Sequence, residues 1–216
     1  MSVSNGVDCG FFDPDRTWPS PYPADRETVA FTGAMDYWAN ADAVGWFVRE
    51  IWPRIRLARP HALLAIVGAR PSAEVLSLAC ADIWVTGRVS DVRPYLQHAH
   101  CAVAPMRLAR GVQNKVLEAM AMAKPTVTTA TGLEGIEAQP GRDLLVANEP
   151  DVFAEAVLAV LSGSDPELGR RARRLVKDRY DWTRAMDRLI AILKGGGQPD
   201  RVSVPVDRAL ADGVRG

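Results

Sequence analysis

One short stretch near the middle of the chain places basic residues and a glycine directly before a segment with helical spacing of apolar residues. It runs Arg110, Gly111, Val112, Gln113, Asn114 and Lys115, and the apolar segment begins at Val116. The first N–H groups of a helix lack acceptors within the helix and carry the positive end of its dipole, so they attract anions. Charge-assisted hydrogen bonds from Arg107, Arg110 or Lys115 would each contribute about 1.5–3 kcal/mol to the binding of an anion. The spacing therefore predicts a phosphate-binding site.

Glu118 lies one turn into the same predicted helix and has two interpretations. Its carboxylate can accept hydrogen bonds from the two hydroxyls of a ribose. It can equally form an exposed i, i+3 pair with Lys115, which would contribute only about 0.2–0.5 kcal/mol to the stability of the helix. Helix geometry alone does not choose between them.

Motifs for other chemistries are missing from the sequence. There is no GxxxxGK[ST] motif, no GxGxxG after the first predicted strand and no GxSxG motif, so a P-loop NTPase, a classical dinucleotide dehydrogenase and an α/β-hydrolase fit poorly. The histidines His61, His98 and His100 have no carboxylate or cysteine at ligand spacing, so we interpret them as structural. No metal site is expected.

The elements that must position these residues follow from an alternation of short apolar runs with longer helical segments, typical of a parallel sheet covered by helices. Strands are predicted over 29–32, 62–67, 83–86, 101–104, 126–129 and 144–147, the last at an edge. Helices are predicted over 40–59, 72–79, 92–99, 113–122, 150–161, 166–179 and 182–193, the first capped by Asn40. The expected fold is α/β, a doubly wound, Rossmann-like parallel sheet of about six strands with C-terminal helices.

Glycines and arginines follow the ends of the first four predicted strands. They are Gly33, Gly68, Arg70, Gly87, Arg88, Arg107, Arg110 and Gly111. Open parallel sheets bind ligands outside the carboxyl ends of their strands, so these residues are expected at one crevice. Four arginines there favour an anionic ligand. By contrast, Trp38, Trp46 and Trp52 recur near helical spacing and are interpreted as core or interface packing.

Composition narrows the class of protein further. The chain of 216 residues has 26 Lys plus Arg and 26 Asp plus Glu, which argues against nucleic acid as its main partner. Its three cysteines, Cys9, Cys80 and Cys101, are an odd number with wide spacing, so a reducing compartment is expected. We find neither a signal-peptide pattern nor a membrane-spanning run. A cytoplasmic protein is predicted, with association with the inner face of a membrane left open.

The two ends differ from the middle of the chain. Residues 1–27 contain four prolines between positions 14 and 23, which disfavours helices and central strands and predicts a linker. Residues 28–193 form the predicted packed domain. Residues 194–216 include three consecutive glycines and show no apolar periodicity, so a flexible tail is expected.

Several motifs together resemble those of the group 1 retaining glycosyltransferases, enzymes built from two facing Rossmann-like domains in the GT-B fold. The motifs are Asn5-Gly6-Val7-Asp8, Phe31-Thr32-Gly33, Thr86-Gly87-Arg88-Val89-Ser90-Asp91, Leu117-Glu118-Ala119-Met120-Ala121 and Lys124-Pro125-Thr126-Val127. They match, in this order, the domain junction, the first strand and glycine loop, the strand end beside the nucleotide base, and the two parts of a signature. The wording ARGVQNKVLEAMAMAKP, residues 109–125, also resembles a subgroup associated with bacterial exopolysaccharide systems. From residue 5 to about 193 the chain resembles the C-terminal domain of this family.

The resemblance implies roles for individual residues. Glu118 would bind the donor ribose, the segment 111–115 the diphosphate, and Arg88 with Val89 would lie at the base. The catalytic group would be Arg110, Lys115 and Glu118, and the donor-binding group Gly33, Gly68, Arg70, Gly87, Arg88, Val89, Arg107, Gly111, Val112, Gln113 and Asn114. The donor would be a UDP- or GDP-sugar, and neither a metal nor another cofactor is implied, because the helix dipole and cations stabilise the leaving diphosphate.

The sequence departs from the family pattern at two positions. Arg110 stands where the family often has an acidic residue eight positions before Glu118, and Ala39-Asn40 stands where a lysine is often found. A diphosphate cation is therefore lost from the loop after the first strand, and Arg107 and Arg110 are expected to replace it.

The resemblance implies a donor-binding domain for hexosyl transfer to an acceptor glycan or lipid-linked sugar, with an N-terminal Rossmann domain as a partner in cis or in trans. Two alternatives stay open from the sequence. The chain could be a non-catalytic scaffold or interaction module of the same fold, or a relative of the sugar-nucleotide epimerases.

Overall fold

A single six-stranded sheet, in which every neighbouring pair of strands is parallel, organises the computed structural model, which describes residues 6–109, 111–183 and 186. The strands are β1 (Thr28–Thr32), β2 (Leu63–Val67), β3 (Ile83–Val85), β4 (Cys101–Ala104), β5 (Thr126–Thr128) and β6 (Leu145–Val146). They lie in the order β3-β2-β1-β4-β5-β6. The predicted α/β doubly wound fold is confirmed, and β6 lies at an edge as predicted. The strand order reverses between β1 and β4, the kind of place where open α/β sheets bind ligands.

Helices connect and cover these strands. They are α1 (Trp38–Trp46), α2 (Trp52–Ala58), α3 (Ala73–Leu76), α4 (Arg93–His98), α5 (Asn114–Ala121), α6 (Ala130–Leu133), α7 (Pro150–Leu161) and α8 (Leu168–Arg179). The short α6 was not predicted, because four residues hold no helical period. Its start is fixed by Thr129, whose hydroxyl accepts a hydrogen bond from the N–H of Gly132.

The central strands are buried on both faces, as a sheet covered by helices requires. Every residue of β1 and β2 is buried. Alternate residues serve different clusters: Val29 and Phe31 belong to the larger core, whereas Ala30 packs in a smaller cluster with Tyr22. Side chains of α1, α2, α5, α7 and α8 contribute to the larger core, which therefore joins both halves of the sheet.

The helix predicted over 40–59 is correct in position but wrong at its start and in its continuity. Helical geometry begins at Trp38 with Tyr37 in the capping position, so Asn40 lies inside the first turn and does not cap it. A π-helical segment, Phe47–Ile51, separates α1 from α2. Asn40 is buried, and its amide nitrogen donates to the carbonyl of Ala34 at 2.9 Å. A polar residue at this position predicted a helix cap at the end of the loop. Asn40 instead lies in the first turn of the helix and donates a hydrogen bond back to the loop.

The N-terminal segment from residue 6 to residue 27 packs against the domain. Val7, Cys9 and Phe12 are buried in the larger core. The backbone N–H of Val7 donates to the carbonyl of Tyr180 at 2.8 Å, so the segment also contacts the end of α8. The linker role of residues 1–27 stays a prediction. The tail 194–216 lies outside the described residues, as does most of the predicted helix 182–193.

Candidate active site

A crevice of about 350 Å³ opens at the carboxyl ends of β1, β2 and β3. Its lining residues come from the loops after these three strands and from α5. They are Thr32, Gly33, Ala34, Val67, Gly68, Ala69, Arg70, Arg88, Val89, Val92 and Glu118. Six residues predicted from the sequence as site residues are thus brought together: Gly33, Gly68, Arg70, Arg88, Val89 and Glu118. The lining is mixed, with Val89 and Val92 offering an apolar wall and Arg88 an exposed cation.

The floor of the crevice depends on two glycines in contact. The N–H of Gly33 donates to the carbonyl of Val67 at 3.0 Å, which draws the loop after β1 against the loop after β2. A Cβ atom on Gly68 would overlap the carbonyl oxygen of Gly33. A Cβ on Gly33 would lie 2.8 Å from the amide nitrogen of Asn40. Gly68 requires glycine because backbone of the facing loop leaves no space for a side chain, whereas a side chain at Gly33 would have to displace the Asn40 amide.

Arg70 lies at the rim and is already paired. Its guanidinium binds both carboxylate oxygens of Asp36, with one N–O distance of 3.1 Å, and the pair is exposed to solvent. The hydrogen bond from Arg70 lowers the pKa of Asp36. The backbone of Arg70 has a positive φ of 54°, which is unusual for a residue with a side chain. The pair fixes the rim, and exposed ion pairs of this kind contribute little to stability.

Lys115 reaches from α5 across to the loop after β1. Its ammonium donates to the side-chain oxygen of Gln113 at 3.1 Å and lies 5.6 Å from the centre of the Phe31 ring. Its Cε lies 3.4 Å from the point that a Cβ on Gly33 would occupy. Burial lowers the pKa of Lys115 to about 8, although the nearby Glu118 carboxylate opposes that shift. The side chain of Lys115 on α5 therefore lies beside the loop after β1.

Glu118 lines the crevice one turn further along α5 and is half-buried. Burial raises the pKa of its carboxyl, and the Lys115 charge opposes that rise. Because both side chains are half-buried, the exposed-pair interpretation does not describe them. The carboxylate instead faces the crevice, where hydroxyl groups of a ligand could donate to it.

The start of α5 presents backbone to the same side of the sheet. Gln113 occupies the capping position, and its own side chain makes no capping hydrogen bond to the helix. Gln113 donates from its side chain to the carbonyl of Gly111 at 3.0 Å, which ties the preceding turn to the helix. Gly111 has a φ of +69°, and Val112 packs against Gly135. Asn114 is exposed in the first turn.

Seven predicted site residues do not line the crevice, namely the five of the segment 111–115 together with Arg107 and Gly87. Arg107 binds the carboxylate of Asp42, its Nε lying 3.0 Å from one oxygen, and it lies over the ring of Trp46. Arg107 does not line the crevice in this arrangement. Gly87 adopts a φ of +67° and positions Arg88 beside it without lining the cavity itself. Arg110 lies outside the described residues.

Two acidic residues that form this rim were missed by the sequence reasoning, and both follow β1. Asp36 and Asp42 bind Arg70 and Arg107, their partners from other loops. Both aspartates lie close after the glycine loop in sequence, which places negative charge near the rim. Their arginine partners lie 34 and 65 residues away along the chain, so the sequence did not identify the pairs.

The other residues considered for chemistry have structural contacts. A ring nitrogen of His98 lies 2.7 Å from the carbonyl of Trp18, and His100 accepts from the N–H of Thr28 at 3.0 Å. Among the described residues, no cluster of His, Cys, Asp or Glu could hold a metal ion. Trp46 and Trp52 are buried, as predicted for core packing, whereas Trp38 is 57% exposed and does not pack in the core; interface packing of Trp38 stays a prediction. Within the described part, no helix has the length and apolar character needed to cross a bilayer.

The sequence match and the fold agree on one family. A family model described as "Glycosyl transferases group 1" matches residues 26–163, which is more than half of the chain and includes the whole crevice. This chain belongs to the group 1 glycosyl transferases. A comparison with curated proteins finds no match.

Solved structures of low sequence identity share this fold. A glycosyltransferase from Rickettsia africae is 15% identical with a TM-score of 0.71, over 89% of this chain and 56% of that one. Sucrose-phosphate synthase from Thermosynechococcus elongatus is 19% identical with a TM-score of 0.66, over 90% and 53%. Anabaena Alr3699/HepE in complex with UDP is 12% identical with a TM-score of 0.68, over 88% and 56%. The chain thus has the Rossmann-like fold of one GT-B domain and spans about half the length of these neighbours.

Proposed function

We propose that this group 1 glycosyl transferase chain is the donor-binding domain of a hexosyltransferase that uses a UDP- or GDP-sugar. The observation that carries the proposal is the convergence of Glu118, Arg88 and the Gly33 and Gly68 turns on one crevice, with Lys115 beside it. The HepE structure with UDP supports a nucleotide in a domain of this fold, although it describes that protein alone.

The crevice offers a separate environment for each part of a nucleotide sugar. Val89 and Val92 provide an apolar wall for a base, and Glu118 accepts the ribose hydroxyls. The Gly33 loop lets backbone approach the diphosphate closely, and Lys115 with the start of α5 supplies positive charge. When the glycosidic bond breaks, negative charge grows on the leaving diphosphate, and this fixed positive charge stabilises it. We propose no metal and no further cofactor in this step.

The remaining partners belong to the same proposal. The acceptor would be a hydroxyl of a glycan or a lipid-linked sugar, in polysaccharide or glycoconjugate synthesis at the cytoplasmic side of a membrane. A second Rossmann-like domain, in cis or in trans, would hold that acceptor. The exopolysaccharide context rests on the wording of residues 109–125 alone.

Calorimetric titration with UDP and GDP tests the donor site. Wild type should bind one of them, and Glu118→Ala should weaken that binding about 10- to 100-fold, the effect of losing hydrogen bonds to a charged group. Glu155→Ala, which removes an exposed glutamate on α7, is the matched control and should bind like wild type. If wild type binds no nucleoside diphosphate, the proposal is wrong.

Transfer needs a second assay. We expect UDP binding by the isolated chain but no sugar transfer from a UDP- or GDP-sugar until a second Rossmann-like domain is supplied. Transfer by the isolated chain would contradict the need for that domain.

A further inference from the structure

The side chain of Asn40 lies beside the Gly33 loop and has an oxygen left unsatisfied by the described residues. The residue is 4% exposed, and its side-chain oxygen is buried without a hydrogen-bond partner within the part of the chain described by the structure. Its amide nitrogen is used, because it donates to the carbonyl of Ala34. A buried amide oxygen without a donor is costly, so native structures retain one where a donor can reach it or where it serves a function.

The side chain of Lys115 passes close to the Asn40 amide and ends in a donor group. The Cγ of Asn40 and the Cε of Lys115 lie 3.3 and 3.4 Å from the same point, the position of a Cβ on Gly33. An ammonium has three hydrogens to donate. Lys115 uses one toward Gln113 at 3.1 Å, and its second contact, to the sulfur of Met106 at 3.8 Å, is a weak one. In this structure the ammonium contacts Gln113 and the Asn40 oxygen has no partner among the described residues, so a contact between them requires rotation about the last bonds of the Lys115 side chain.

We propose that Asn40 is a positioning residue for Lys115: its side-chain carbonyl is the second acceptor of the Lys115 ammonium and holds it beside the Gly33 loop. This inference rests on the proposed function where it concerns the diphosphate. Asn40 occupies the helix that follows this loop, so it fixes the loop with one end of its amide and the cation with the other. Only a residue with both a donor and an acceptor at this length can do both.

The other charged groups at this end of the sheet do not compete for that role. Asp42, on the same helix as Asn40, is bound by Arg107, and Asp36 is bound by Arg70. Glu118, from α5, is the carboxylate that attracts the Lys115 charge. Burial lowers the pKa of Lys115 to about 8, so loss of an acceptor for its ammonium should lower that pKa further.

The first test measures the pKa of Lys115 in the free protein by NMR of labelled lysine side chains, with Lys115→Arg to assign the signal. The sequence has only four lysines, Lys115, Lys124, Lys177 and Lys194. Asn40→Leu, which has a similar size but no acceptor, should lower the pKa of Lys115 by at least about half a unit. Lys124 is the internal control, because it is buried against the carbonyls of Gln97 and Ala99 and should not shift. An unchanged Lys115 pKa overturns the inference.

The second test is a double-mutant cycle in UDP binding at pH 7. Asn40→Leu should weaken binding about tenfold when Lys115 is present, and by less than about twofold when Lys115→Met has removed the ammonium. Equal losses in both backgrounds would mean that Asn40 only supports the loop and would overturn the inference. Should Asn40→Leu fail to fold, Asn40→Asp is the second variant. It keeps an acceptor and adds a negative charge, so it should raise the pKa of Lys115. An unchanged pKa in Asn40→Asp would also overturn the inference. If wild type binds neither UDP nor GDP, the proposed function fails while the NMR test still decides the role of Asn40.

Discussion

Two side chains on α5 illustrate how burial sets charge in this crevice. Lys115 and Glu118 are both half-buried, and burial moves the pKa of each toward neutrality, downward for the lysine and upward for the glutamate. Their mutual attraction opposes both shifts. A bound diphosphate would add negative charge beside Lys115 and favour its protonated form. Ligand binding and protonation of Lys115 are therefore expected to be coupled.

This coupling predicts a pH dependence of nucleotide binding. Because the pKa of Lys115 is lowered to about 8, the ammonium is present below that pH and is lost as the pH rises through it. Above pH 7, where the phosphates of UDP are already fully charged, UDP affinity should therefore fall by about tenfold toward pH 9.5, the loss of one charge-assisted hydrogen bond. Titration calorimetry across this range measures it. Lys115→Met should bind weakly with a flat profile; a wild-type profile that is flat would argue against Lys115 at the phosphate.

A second residue-scale prediction concerns Glu118 and the ribose. If its carboxylate accepts the ribose hydroxyls, wild type should prefer UDP to 2′-deoxy-UDP by about tenfold or more. Glu118→Gln replaces one acceptor oxygen with a donor and should remove most of this preference. Competition binding with the two nucleotides measures both ratios. Retention of the full preference in Glu118→Gln would assign the ribose to other groups.

At the scale of elements, the end of α5 is as well defined as its start. The N–H of Lys124 donates to the carbonyl of Ala119 and that of Ala123 to Met120, both at 3.0 Å, the pattern of a Schellman motif. The central residue of that motif, Ala123, has a φ of +55°. Gly169 of α8 packs against this turn so closely that a Cβ would overlap the Ala123 carbonyl oxygen. The start of α5 is thus held at the crevice by an anchored end.

Ala123→Gly should therefore stabilise the protein. Glycine adopts a positive φ without the steric cost that alanine has. The greater entropy of glycine in the unfolded chain offsets part of this gain, so we expect the free energy of unfolding to rise by about 0.5–1 kcal/mol. The melting temperature should rise by about 1–4 °C. Ala156→Gly, in the interior of α7, is the control and should lower it. A lower melting temperature for Ala123→Gly would contradict this account of the turn.

At the scale of the whole molecule, the two ends of the described chain are joined beside the domain. Arg173 of α8 donates to the carbonyls of Phe12 and Ala121 and pairs with Asp13 at 2.9 Å. One side chain thereby connects the N-terminal segment, the end of α5 and α8. This arrangement couples the position of the N-terminal segment to the helix that begins at the crevice.

Arg173→Leu should destabilise the whole fold. Two carbonyl groups and one carboxylate would lose their donor, at a cost of about 2–4 kcal/mol in the free energy of unfolding. Urea denaturation followed by circular dichroism measures the change. Arg174→Leu removes the exposed neighbouring arginine and should stay within about 0.5 kcal/mol of wild type. Equal effects of the two substitutions would show that the Arg173 contacts contribute nothing.

Local pattern was sufficient to predict the elements and the general position of the crevice. The α/β class, six strands, the helix after the segment 110–115 and the glycine positions follow from spacing within a few residues, because hydrophobic period and turn chemistry act over short distances. Parallel order then places all strand ends at one edge. Glu118, Arg88, Gly33 and Gly68 consequently meet as the sequence indicated.

Tertiary structure decided which charges face the crevice. Arg107 and Arg70 are equivalent in sequence to any other loop arginine, yet each is bound to an aspartate that follows β1. Lys115 instead reaches across to the Gly33 loop, and Asn40 lies beneath it without capping its helix. These outcomes depend on side-chain partners brought together by strand order over tens of residues. The sequence by itself therefore determined where an anion site could form, and packing across β1 and β4 determined which cation and which amide stand beside it.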